Sequence, residues 1–171
     1  KADAGRVRVV LSPSGEAEVS VSLTLAGKPL LDLQGVAWPE EGRLEVETLS
    51  LSPPGYDAWK LTEPARATWM GTTQGTAFLS LVSPSGRLRV EAAVEDGPLT
   101  AEIEVSGLVL SWLEAALPVA GWQGVTDGHV NVGGSLKNLL VEGQVEVRDL
   151  VIPDTVEGMG LALEFSNLDG V

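Results

Sequence analysis

Residues 86–107 read GRLRVEAAVEDGPLTAEIEVSG, and this stretch decides the fold. Leu88, Val90, Ala92 and Val94 point one way and Arg87, Arg89 and Glu91 the other; after Asp96-Gly97 the alternation resumes with Leu99, Ala101, Ile103 and Val105 against Thr100, Glu102 and Glu104. A period of two marks a strand with one buried and one solvated face. Asp-Gly between two such runs predicts a two-residue hairpin loop, because both central residues of a type I′ turn need positive φ. Counting outward sets Val94 opposite Leu99, Val90 opposite Ile103 and Arg89 opposite Glu104. A slip of one residue would put Arg89 against Ile103 and turn an apolar face to water, so the register is well specified. Glu91 opposite Glu102 is the one mismatch, and Arg89 lies diagonally near enough to soften it.

The same alternation recurs at Val7, Val9 and Leu11; at Val19, Val21, Leu23 and Leu25; at Val130 and Val132; at Val145 and Val147; and at Leu161, Leu163 and Phe165. The chain therefore reads as a long antiparallel array. Between Arg43 and Ser52 the phase shifts from Leu44 and Val46 to Leu49 and Leu51, which predicts a bulge. Leu11-Ser12-Pro13-Ser14-Gly15, Leu51-Ser52-Pro53-Pro54-Gly55 and Val82-Ser83-Pro84-Ser85-Gly86 are variants of one strand-ending turn, in which Pro sets φ and Gly permits a left-handed exit. Their uneven spacing argues for loosely repeated hairpins rather than a strict solenoid. One short helix is expected over 112–117: Ser111 to Glu114 has capping-box spacing, Leu113, Ala116 and Leu117 form a small apolar face, and Pro118 stops it. Asp57 to Arg66, with Pro64, reads as a loop or edge passage.

The 171 residues carry 11 basic against 24 acidic side chains, a net charge of −13, which repels phosphate backbones and excludes nucleic acid as a partner. Cysteine is absent, so disulfides and thiolate chemistry are excluded. No stretch is long and apolar enough for a spanning helix; the best, Leu108 to Gly121, is broken by Ser111, Glu114 and Pro118. With no initiating Met and a strand-like run starting after Gly5, the chain is expected to be a fragment of a longer repeat array.

Chemistry-bearing patterns are sparse. His129 is the sole histidine and follows Asp127-Gly128, which reads as a turn leading into a strand; it has no Cys to activate, and no Ser sits at a nucleophile elbow. The Glu45/Glu47 and Glu102/Glu104 pairs lie two apart on solvated strand faces, where no pocket raises a pKa. One His, no Cys and no calcium-loop spacing give no dedicated metal site, and no cofactor motif is found. The glycines at 124, 128, 133 and 134 read as bulges and bends rather than a phosphate loop. The chain is read as non-enzymatic. Five tryptophans are read as core fillers or edge covers; Trp112 and Trp122, flanking the short helix, alternatively sit at the mouth of an apolar cavity.

From residue 99 onward the order of elements resembles the TamB and AsmA-like envelope proteins. The residues that carry it are Gly107-Leu108-Val109-Leu110, the helix from Trp112 to Leu117, Gly128-His129-Val130-Asn131-Val132-Gly133-Gly134-Ser135-Leu136, Leu140-Val141-Glu142-Gly143-Gln144-Val145-Glu146-Val147 and Val151-Ile152-Pro153. Residues 1–98 match only as generic amphipathic hairpins, and Asn138-Leu139-Leu140 stands where the family often has a proline. The resemblance implies an all-β protein of antiparallel strands curled into an elongated groove, a β-taco or half-open barrel. It implies a periplasmic location, with a parent anchored in the inner membrane, and a role in outer-membrane biogenesis. The implied partners are phospholipid acyl chains, an outer-membrane barrel of the TamA kind, and neighbouring repeats met through sheet edges.

Small apolar residues suit a groove better than a dense core, which must be filled to crystal-like density. The expected groove lining is Val90, Ala92, Ala101, Ile103, Val105, Val130, Val132, Val145, Val147, Leu161, Leu163 and Phe165. A secreted β-sandwich that binds through loops, and a scaffold that pairs strands at its open edges, are the competing readings.

Overall fold

A computed structural model describes residues 4–53, 55–71, 73–111, 121–135, 138–153 and 156–166. They form an all-β fold: β1 (Ala4–Leu11), β2 (Ala17–Leu25), β3 (Lys28–Trp38), β4 (Arg43–Leu51), β5 (Trp59–Leu61), β6 (Ala65–Met70), β7 (Gln74–Ser83), β8 (Gly86–Val94), β9 (Leu99–Val109), β10 (Gln123–Ser135), β11 (Asn138–Ile152) and β12 (Val156–Ser166). All belong to one antiparallel sheet in sequence order, with β5 and β6 sharing the column between β4 and β7. The helix expected over 112–117, with Trp112, lies outside the described residues.

The hairpin at 86–107 forms in the register read from its alternation, Val94 with Leu99, Val90 with Ile103 and Arg89 with Glu104. Asp96 (φ 52) and Gly97 (φ 111) make the loop, closed by Glu95 N donating to Pro98 O at 3.1 Å. The phase shift in β4 is a bulge: Thr48 pairs Gln34 and Val46 pairs Gly35, leaving Glu47 extra. The Pro-Gly motifs end β1 and β7 in turns as expected, and Gly15 (φ 85) and Gly55 (φ 86) take the left-handed conformation.

Two local expectations are corrected. The segment read as a loop from Asp57 to Arg66 contributes β5 and the start of β6, which pair at the centre of the sheet. Pro64 lacks an N–H and interrupts the strand, but the alternation of Trp59, Leu61, Ala65 and Ala67 keeps both pieces in one column. Asp127-Gly128 is no turn: both residues lie inside β10, paired to β11 as Asp127 with Glu146 and Gly128 with Val145. The Asp127 carboxylate instead accepts from the Gly107 N–H at 2.9 Å and from Arg148. That bond pins a kink in β9 at Gly107 (φ 65), after which Leu108 turns to the apolar side.

Directly opposed residues share a face, so the pairings define two faces across the sheet. One unbroken rung joins Val10, Glu18, Val36, Glu45, Arg66, Phe78, Glu91, Glu102, Asn131, Glu142 and Ser166 on the polar face. The next rung lies on the apolar face and joins Leu11, Ala17, Ala37, Leu44, Ala67, Ala77, Ala92, Ala101, Val132 and Val141.

Burial is concentrated on the apolar face in two adjoining clusters. Trp59, Leu81 and Leu108 gather Leu49, Leu51, Leu61, Leu79, Leu88 and Val105; Leu110, Val147 and Leu150 gather Trp122, Val145, Ile152 and Leu161. Trp122 is thus a packing residue. No side chain is completely enclosed among the described residues. The chain exposes 11146 Å², whereas a compact globule of its mass exposes about 8,000 Å².

Candidate functional site

Every residue expected to line a groove falls on the apolar face. Val90, Ile103 and Val130 follow one another across β8, β9 and β10, as do Ala92, Ala101 and Val132; Val105 meets Gly128, which leads to Val145 and Leu163. Val147 pairs Leu161, and Phe165 pairs Gly143 next to Val130. Of the twelve, Val147 is buried, Leu163 and Phe165 are exposed, and the rest are half-buried. In a filled core most would be fully enclosed.

Two features of this face were not legible strand by strand. The first is the rung of small residues: six alanines, at 17, 37, 67, 77, 92 and 101, line up across β2 to β9 with only Leu44 interrupting. Bulkier rungs flank it, with Val90, Ile103 and Val130 on one side and Trp69, Val94 and Leu99 on the other. The result is a shallow track perpendicular to the strands. Ala92 and Ala101 were read as groove residues, but their alignment with the other four requires the register of seven strands.

The second is Thr126. Away from the turns it is the polar exception on the apolar face among the described residues, paired with Leu108 and Val147 between the two clusters. It is 7% exposed, and its hydroxyl has no hydrogen-bond partner.

A concavity of ≈ 990 Å³ opens on the opposite face. On each contributing strand from β7 to β11 the lining alternates polar-face residues around one apolar-face position, as in Glu91-Ala92-Ala93, Thr100-Ala101-Glu102 and Asn131-Val132-Gly133. It is therefore not the apolar groove expected from the resemblance. Phe78 contributes an aromatic ring there, with the Arg89 guanidinium 5.6 Å from its centroid. Arg89 Nε also donates to Glu91 at 3.1 Å, which offsets the Glu91–Glu102 mismatch. The Arg89 pKa is raised, chiefly by that hydrogen bond.

The polar face also brings His129 to Glu102 and Glu104, their ligand atoms lying within 4.8 Å of one another. His129 Nδ1 is 3.6 Å from Glu102 Oε1, and its Nε2 is 3.1 Å from Asn131 Oδ1. The group lies open to solvent, with side chains 43% and 51% exposed at His129 and Glu102. The Asp127 carboxyl is held below its ordinary range, first by the Gly107 N–H and then by Arg148.

Comparison with protein-family models, curated proteins and solved structures finds no match to this chain.

Proposed function

We propose that this chain is a non-enzymatic segment of a bacterial envelope protein, similar to the TamB and AsmA-like proteins, whose apolar face shields phospholipid acyl chains on their way between inner and outer membranes. The observation that carries the reading is an apolar face continued over all twelve strands of one sheet and left half-open. An uncovered aliphatic surface of this extent is costly in water unless something apolar occupies it. Acyl chains match it in chemistry, and the alanine rung supplies a track running from strand to strand. The carboxylate-rich polar face and the net charge of −13 keep the outside solvated and repel anionic bilayer surfaces. Segments of outer-membrane proteins in transit are the other cargo such a surface suits.

The test is photo-crosslinking from Val90, Ile103 and Val145 on the apolar face, with Arg89 and Glu104 on the polar face as controls. The protein is incubated with phospholipid vesicles and the adducts are identified by mass spectrometry. Phospholipid adducts confined to the first set are expected. Adducts centred on Arg89 and Glu104 would overturn the reading and move the site to the polar concavity. A folded Ile103→Arg variant is expected to lose lipid; one that carries lipid unchanged counts against the proposal.

A further inference from the structure

The two edges of the sheet match each other rung by rung. Val10 on β1 and Ser166 on β12 end the same unbroken rung. Counting back one residue on each strand brings Val9 level with Phe165, two brings Arg8 level with Glu164, and three brings Val7 level with Leu163. Ten antiparallel steps separate the edges, an even number, so β1 and β12 run in the same direction. Their apolar positions are the most open of the whole face: Val7 67%, Val9 57% and Leu11 73% exposed at one edge, Leu163 50% and Phe165 42% at the other. Their charges are opposite. Arg6 and Arg8 are the charged side chains of β1, whereas Glu164 stands on β12, and none of the three makes an ion pair among the described residues.

We infer that β12 of one copy of this chain pairs in parallel with β1 of a second copy. At the ordinary strand spacing of about 4.8 Å, the incoming copy sets Arg8 beside Glu164 with Arg6 next along the strand. Phe165 and Leu163 then cover Val9 and Val7. The apolar face continues across the junction without a change of side, because level residues share a face. Each added copy leaves the same two edges free, so the assembly is head-to-tail and can grow past a dimer. This inference is independent of what occupies the apolar face.

Sedimentation velocity over a range of concentrations tests it. The chain is expected to form an open series of dimers, trimers and longer species that weaken as salt is added. Arg6→Glu/Arg8→Glu and Glu164→Lys variants are each expected to associate at least ten-fold more weakly. Mixing the two restores association, because each then offers the other an edge of opposite charge. Val9→Lys, which leaves both arginines in place, is a second block. A chain that stays monomeric, a series that stops at a dimer, charge variants that associate like the parent, or a mixture that remains apart would each overturn the inference. Circular dichroism of these exposed-site variants confirms that the sheet is retained.

Discussion

One face of this sheet carries two regions of similar chemistry and opposite outcome. At one end, Trp59, Leu81 and Leu108, with Leu110, Val147 and Leu150 beside them, close into buried clusters. Towards the other, the alanine rung leaves its flanking valines and Ile103 half-open. Both regions are aliphatic, both alternate with polar residues, and the same strands pass through each. The difference is side-chain volume per rung. Large residues reach across neighbouring strands and enclose one another; methyl groups cannot, so the surface around Ala92 and Ala101 stays accessible. The two clusters therefore lie at one end of the sheet, Ala17, Val46 and Ala65 are buried apart from them, and the apolar surface across β8 to β10 stays half-open.

Four substitutions test that contrast, beginning with the largest expected effect. Trp59→Ala empties the most enclosed aromatic site, at 3% exposure, and is expected to cost about 3–5 kcal/mol, read as a lower urea midpoint. If clustering were unimportant, the loss would resemble that of a surface residue. Ala101→Leu on the alanine rung is expected to change stability by less than about 1 kcal/mol, since there is room for the added carbons; a filled site would lose about 1–3 kcal/mol to overpacking. The same variant should reduce acyl-chain binding by obstructing the track.

Thr126→Val removes an unpaired buried hydroxyl between the clusters and is expected to raise stability by about 1 kcal/mol, seen as a higher melting temperature. A loss instead would mean that the hydroxyl has a partner in solution. The smallest effect concerns pH. Because the Asp127 carboxyl is held below its ordinary value, its contribution is fully present above the ordinary carboxylate range and is lost as pH falls through the lowered one. Asp127→Asn should therefore weaken the kink at Gly107 that aims Leu108 into its cluster, and flatten the acid limb of a stability–pH curve below about pH 4. An unchanged acid limb would show that Gly107 is held without it.

The hairpin of 86–107 was legible to the residue, because a Asp-Gly loop and strict alternation leave one register that keeps the apolar side dry. The bulge in β4 was legible for the same reason, as a slip in phase. The side on which each groove residue lies could also be read, since within a strand a side depends only on odd or even position. Neighbours along a rung could not. Ala17 and Ala101 join one track only after seven strands have been registered, and nothing near either alanine says so. The segment from Asp57 to Arg66 misled because Pro64 is a strong local signal, while the pairing that holds Trp59 and Ala65 in the sheet is long-range. Asp127-Gly128 misled because the same dipeptide serves a turn at Asp96-Gly97 and a mid-strand bond to Gly107 here; only the partner strand distinguishes them.

Pro64 leaves the middle column of the sheet in two pieces, and Thr62 spans the break by handing its amide to Ser80 O at 3.1 Å and its hydroxyl to Ser80 Oγ at 2.7 Å. Elsewhere neighbouring strands stay paired through local shifts of register, as at Glu47 and beside Gly107. Local opening follows the thinnest stitching, so β1 to β4 can hinge against β7 to β12 here while both ladders stay intact. Pro64 is thus one soft point inside the sheet, and amide hydrogens of the residues around it are expected to exchange ahead of those in the strands on either side.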